Sequence, residues 1–145
     1  MLRQETVDID GVQATLYKMP AGQALHFQVR FAGLVAPFAK ALGAAGADPE
    51  KQMEVFTSAL VQTLGGDKKD EAERFIRDII GTGLIAIDGK KITSIDDLNV
   101  YEERTEPTYL ALRLVGEQVK FSILPGLGKL LAAPGGFSGL MGQES

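Results

Sequence analysis

The chain offers few side chains for catalysis or metal binding. His26 is the single histidine and there is no cysteine, which excludes thiol catalysis, thiolate metal sites and a disulfide framework. A metal site at His26 would need carboxylates beside it, whereas a helix would place Gln23 and Arg30 next to it. We therefore expect His26 to be a solvated or capping residue rather than a ligand or a general base.

Other residues with catalytic potential lack the surroundings that their chemistry needs. Two pairs of adjacent carboxylates, at 96–97 and 102–103, lie in a polar stretch where such pairs are usually solvated. The glycine-rich run at 126–129 matches the phosphate-binding loop motif only in part, because Leu130 occupies the position where the motif has a hydroxyl residue after the lysine. No serine has the surroundings of a nucleophile elbow. The sequence thus predicts no catalytic residue, no metal and no cofactor.

Composition narrows the function classes further. Of 145 residues, 45% are hydrophobic and 23% are charged, as in an ordinary globular domain. The formal net charge is -4 and no basic patch is present, which argues against nucleic acid as a partner. No apolar run is long enough to span a membrane, and the polar N-terminal residues do not resemble a signal peptide. We expect a protein-binding domain that works in the cytoplasm.

Residues 5–18 predict a β-hairpin. Asp10-Gly11 is a type I′ turn pair, and apolar residues alternate on either side of it. A two-residue loop would place Ile9 opposite Val12 and make one face of the hairpin apolar. A lone hairpin is marginally stable in water, so this face must pack against other elements.

Residues 20–44 predict a long first helix that is apolar around most of its circumference. Its narrow polar or helix-weakening stripe alternates in spacing by three and four residues: Gln23, His26, Arg30, Gly33, Pro37 and Lys40. Pro37 removes the helical donor for the carbonyl of Gly33, so we expect a bend there and a carbonyl satisfied by water. Such a helix is either the central core helix or partly an interface, and the pattern alone leaves both open.

Three further helices are predicted at about 48–64, 67–81 and 106–124, with a short second hairpin or extended loop at 84–93. The polar stretch between that hairpin and the last helix contains three candidate core anchors: Leu98, Val100 and Tyr101. The predicted fold class is mainly α (α+β), with an N-terminal β-hairpin, a bundle of about four helices and the second hairpin.

One globular domain is expected over residues 1–124, followed by a glycine-rich, flexible tail at 125–145. This tail carries large apolar residues that a solvated linker would lack. Two interpretations remain open. Residues 127–131 fold back over the core, or the whole segment is a binding arm that orders on a partner.

The sequence has no catalytic groups, but it has many large apolar residues that could bind a partner. The candidate partner-binding residues are therefore the large apolar side chains of the first helix and the tail: Phe27, Phe31, Leu34, Phe38, Leu127, Leu130, Leu131 and Phe137. We also expect self-association through the first helix, because the hairpin alone cannot cover this much apolar area.

The order of these segments resembles that of phage tail assembly chaperones. The match begins with the hairpin IDGVQATLYKMPAG at 9–22 and the apolar helix ALHFQVRFAGLVAPFAKALG that follows it. It continues with the strand-turn segment IAIDGKKI at 85–92 and ends in Val119-Lys120-Phe121. The resemblance covers residues 5 to about 122 and rests on order and spacing, and the chain departs from the family pattern in its glycine-rich tail.

The resemblance implies a protein that binds the tape-measure protein, helps tail tube subunits polymerise around it in the host cytoplasm, and leaves before the particle is finished. It implies no cofactor and no catalytic residue. The alternative in another class is a small structural tail or baseplate subunit that stays in the virion, and a small enzyme is a third hypothesis. Presence or absence in purified particles separates the first two.

His26→Ala should leave tail formation intact, because a lone imidazole without partners does no chemistry. Complementation of a phage lacking the gene, scored by electron microscopy of tails, measures this. Loss of tails with a protein that is still folded would show that the histidine has a chemical role.

Overall fold

The structure, a computed structural model, describes residues 3–38, 40, 41, 44 and 48–127. The strands are β1 (Gln4–Ile9), β2 (Val12–Tyr17), β3 (Ile85–Ile87) and β4 (Lys90–Ile92). The α-helices are α1 (Ala21–Val35), α2 (Pro49–Leu64), α3 (Lys69–Gly81) and α4 (Pro107–Gln118). The expected mainly α fold, with an N-terminal hairpin and a short second hairpin, is confirmed.

The first hairpin has the register that its turn chemistry predicts. Ile9 pairs with Val12, and the two turn residues Asp10 and Gly11 have φ of 53° and 86°, as a type I′ turn requires. The carboxylate of Asp8 accepts a hydrogen bond from the backbone N–H of Gly11 at 2.9 Å and supports the turn. The apolar face of β2 is completely buried.

The two hairpins form one sheet, which the local patterns did not predict. β2 pairs antiparallel with β3, with Leu16 opposite Ile85, so the strand order is β1-β2-β3-β4. The apolar face of the first hairpin thus continues across the second, and α4 packs on it. This pairing supplies the partner that a lone hairpin needs.

α1 ends earlier than predicted, at Val35, and a 3₁₀ turn follows at Ala36–Phe38. A 3₁₀ turn thus lies where a bend next to Pro37 was expected. The ammonium of Lys68 donates to the carbonyl of Gly33 at 3.2 Å, and the sequence did not predict this donor. The chain that enters α3 thus stabilises the weak point of α1.

The helices α2 and α3 begin and end close to their predicted positions. Asp48 caps α2 by accepting from the N–H of Glu50 at 3.0 Å. The predicted apolar stripe of α3 is buried in full: Ala72, Phe75, Ile76, Ile79 and Ile80. α2 and α4 approach closely at Gly116, where an added Cβ would lie 2.9 Å from the terminal methyl group of Met53, so this flexible side chain would have to move.

The polar stretch before α4 contains a 3₁₀ helix at Ile95–Tyr101. Leu98 is buried and Tyr101 packs partly against the core, as expected of anchors, but Val100 is 78% exposed and is not one. Asp97 accepts from the N–H groups of Thr93 and Ser94 at 3.0 and 3.1 Å, and these bonds lower the pKa of its carboxyl. This carboxylate therefore has a structural role.

The last helix is longer than α4 alone. A π-helical turn follows at Val119–Ile123, and residues 124–127 are helical again. Leu127 is only 1% exposed, so folded structure continues past the expected boundary at residue 124.

A buried polar network joins this turn to the sheet and to the start of α1. The side-chain amide of Gln118 donates to the carbonyls of Tyr17 and Leu84 at 3.1 and 3.4 Å. Ser122 donates its hydroxyl to Gln118 Oε1 at 2.8 Å and accepts from the N–H of Met19 at 3.1 Å. Gln118 and Ser122 are both buried, so water does not replace these bonds.

Ser122→Ala should lower the free energy of unfolding by about 1–3 kcal/mol, because it leaves a buried N–H and a buried amide oxygen without partners. The matched control is Ser58→Ala on the exposed side of α2, which should change it by less than about 0.5 kcal/mol. Urea unfolding followed by circular dichroism measures both. Equal effects of the two substitutions would contradict the network.

Candidate protein-interaction surface

The first helix contributes its large aromatic residues to the core. The Phe27 and Phe75 rings lie 5.9 Å apart edge to face, and the Phe31 ring lies 5.1 Å from Phe56 and 6.2 Å from Phe75. This cluster holds α1 against α2 and α3. Of the two interpretations left open for α1, the central core helix describes the side that carries these phenylalanines, while other residues of the helix are half-buried or exposed.

The sequence-predicted partner-binding residues are therefore not together on a surface. Phe27, Phe31 and Leu34 are buried, and Phe38 is half-buried against the same core. Phe27, Phe31 and Leu34 are therefore packed inside the protein in this conformation, whereas Phe38 keeps part of its surface exposed, and their role in partner binding stays a prediction. Leu127 is also buried, while three of the predicted residues lie outside the described part of the chain: Leu130, Leu131 and Phe137.

The exposed apolar side chains of α1 are two that the sequence analysis did not select. Leu25 and Val29 are 55% and 56% exposed and lie one helical turn apart. We call this pair the α1 outer row. The helix is apolar nearly all round, so sequence alone could not tell which positions faced out. One sequence signal could have indicated these positions. The side of the helix opposite the phenylalanines contains a part without polar residues.

Part of the polar stripe of α1 lies along α3, while His26, Pro37 and Lys40 remain exposed. The guanidinium of Arg30 pairs with Asp78 at 2.7 Å and lies over the Phe27 and Phe75 rings at 5.5 and 5.7 Å. His26 is 3.5 Å from the same guanidinium. An open groove runs beside these residues between α1 and α3, and its charges are of both signs, including Glu71 and Arg74. Such a groove does not favour one charge class of ligand.

A second set of charges lies where β2 leads into α1. The ammonium of Lys18 donates to the carbonyl of Phe121 at 2.7 Å and lies 5.1 Å above its ring, while Arg3 lies 5.7 Å from the same ring. Burial lowers the pKa of Lys18, and the guanidinium of Arg3 lowers it further, although Glu5 opposes this. This arrangement connects two distant segments of the chain and does not form a cleft.

Several carboxylates and hydroxyls of the described residues, among them Asp48, Asp97 and Ser122, have structural hydrogen-bond partners. Within residues 3–38 and 48–127 and the few described between them, no group of three or more His, Asp or Glu residues could hold a metal ion. In the same part of the chain, no helix is long and apolar enough to cross a membrane. Exposed large apolar side chains that could contact a partner lie singly at Val61, Val100 and Tyr109 and as a pair one helical turn apart on α1.

Comparison with known proteins identifies the family. Residues 10–134 match the family described as phage tail assembly chaperone protein, TAC. This chain belongs to that family. No curated protein and no solved structure matches it. In this chaperone, two of the segments that carried the resemblance, the chain leading into α1 and Val119–Phe121, meet through the Lys18 contact to the Phe121 carbonyl.

Phe31→Ala should lower the free energy of unfolding by about 3–5 kcal/mol, because it leaves a cavity among three helices. Leu25→Ala, on the same helix but mostly exposed, should change it by less than about 1 kcal/mol. Urea unfolding of both variants tests the division of α1 into a core side and an outer side. A small loss for Phe31→Ala would place the phenylalanine at a surface instead.

Proposed function

We propose that this chaperone binds the phage tape-measure protein in the host cytoplasm, assists polymerisation of tail tube subunits around it, and is then released. Membership of the tail assembly chaperone family is the observation that carries this proposal. The tape-measure and tube proteins are the partners that the family resemblance implies, and the structure supplies a surface with which such a partner could be held.

The proposed contact surface is the α1 outer row together with the apolar residues after Leu127. Leu25 and Val29 are fixed on a helix whose opposite side is in the core, so they are held in place without a partner. Burying a large aliphatic side chain contributes about 1.5–3 kcal/mol, so two such residues support a weak, reversible contact rather than a permanent one. Reversible binding suits a protein that has to leave its client.

The sequence predicts self-association through the first helix. Phe27 and Phe31 are core residues here, so the large apolar side chains of α1 that a second copy could contact are those of the outer row. An exposed pair of this size is far smaller than the roughly 800 Å² per partner of a standard interface. We therefore assign the outer row to a client and not to a stable dimer.

Val29→Lys should reduce capture of co-expressed tape-measure protein at least about tenfold, because the new charge would have to be desolvated in the contact. Val61→Lys is the matched control, since Val61 is a helical valine on α2 with 58% exposure. Both variants should keep the wild-type unfolding midpoint. Affinity purification with quantification of the bound tape-measure protein measures the effect.

Equal capture by the two variants would show that the outer row is not part of the client-binding surface.

Mass spectrometry of purified phage particles tests the proposal as a whole. A chaperone that leaves should be absent from them or present only in traces, whereas stoichiometric presence would support the structural-subunit alternative.

A further inference from the structure

The C-terminal part of the described chain contacts α1 at Gln28, the residue before Val29. The side-chain amide of Gln28, which lies between Leu25 and Val29 in sequence, donates to the carbonyl of Ile123 at 3.3 Å. The same amide occupies the space that a Cβ at Gly126 would need. Residues 123–126 therefore lie against α1 on the neighbouring side of the helix. Ala32, one turn after Gln28, is also buried.

The chain beyond Leu127 starts next to this surface. Leu127 is buried, so its position is fixed by the core. An extended chain advances by about 3.3 Å per residue, so residues 128–145 could span roughly 60 Å. The whole of α1 has 15 residues and rises only about 22 Å, so the outer row is within reach of this segment.

The composition of residues 128–145 matches an apolar surface. The segment contains five large apolar residues and only two charged ones, Lys129 and Glu144. The apolar residues are Leu130, Leu131, Phe137, Leu140 and Met141. A solvated terminus would favour serine, glutamate or lysine at such positions.

We infer that residues 128–145 dock on the α1 outer row of their own chain and cover Leu25 and Val29 when no client is bound. Covalent attachment gives such a segment an effective concentration in the millimolar range, which a second copy reaches only at very high protein concentration. The docked segment has to lose conformational freedom, so the contact is weak and a client can displace it. Displacement by a client rests on the proposed function, whereas docking itself does not.

Disulfide trapping in the full-length chain tests the docking. The chain has no cysteine, so two introduced thiols report on each other alone. Gly22→Cys puts one thiol a helical turn before Leu25, at a position where an added Cβ meets no atom within 4 Å. Ser138→Cys puts the other next to Phe137. This design leaves both outer-row residues and all apolar tail residues unchanged.

The matched control carries the same two cysteines with Leu130, Leu131 and Phe137 each replaced by serine. Under oxidised glutathione, the chain with the natural tail should form the intramolecular disulfide about tenfold faster than the control, because only its tail is held at the helix. Equal rates, or no disulfide in either chain, would overturn the docking. Disulfide-linked dimers as the main product would overturn it in favour of a second copy as the occupant.

The double-cysteine chain with the natural tail also distinguishes a failure of this inference from a failure of the proposed function. With the tail trapped, capture of tape-measure protein should fall at least about tenfold relative to the reduced chain. Trapping without a fall in capture would overturn displacement by the client and leave docking in place. Absence of capture by the reduced chain, together with fast trapping, would contradict the proposed function alone.

Discussion

The buried amide of Gln118 is the contact on which the relative placement of sheet and helices depends. It donates to carbonyls at the end of β2 and just before β3, so it recognises the point where the two hairpins join. A buried amide without partners would cost about 1–3 kcal/mol, which disfavours any rotation or shift of α4 that turns this side chain elsewhere. The hydrophobic contacts supply most of the stabilisation, but they are not directional. The amide gives them one orientation.

The π-helical turn extends this constraint to α1. Ser122 accepts from the N–H of Met19, and Lys18 donates to the carbonyl of Phe121, so the chain that enters α1 is held by the chain that leaves α4. A π-helical turn changes the intrahelical hydrogen-bond pattern, and side chains from outside the helix can use the carbonyls that face them. The segments at Lys18–Ala21 and Val119–Phe121 thus contact each other, and this contact accounts for the lysine in the first segment.

Local features of the sequence were enough to predict the elements, because each rests on short-range physics. The pair Asp10-Gly11 selects the turn and so the register of the first hairpin. The regular apolar stripe of α3 predicts both the helix and its buried side. The cap at Asp48 places the start of α2. These features depend on residues within a turn or two of each other.

The arrangement of the elements could not be predicted in the same way. Leu16 and Ile85 pair between strands that are distant in sequence, and the sequence of neither strand indicates which strand it pairs with. The apolar circumference of α1 hides which residues face out, because several elements bury different sides of it. Phe27 and Leu25 look equally suitable for a surface until the positions of α3 and of the chain after α4 are known. The contact from Lys68 to the Gly33 carbonyl is another tertiary effect of this kind.

Under the proposed function, the division of α1 into two sides lets one helix serve both folding and binding. Its core side is tied into a phenylalanine cluster and its polar stripe is paired with α3, so the helix does not need its outer row in order to fold. Exposed Leu25 and Val29 therefore add little to the stability of the monomer, and covering or uncovering them leaves the core unchanged. A client-binding surface that used the core phenylalanines would require partial unfolding at every cycle. A client that binds only the outer row replaces the docked C-terminal segment with another apolar surface. The client-bound and client-free states are then close in free energy.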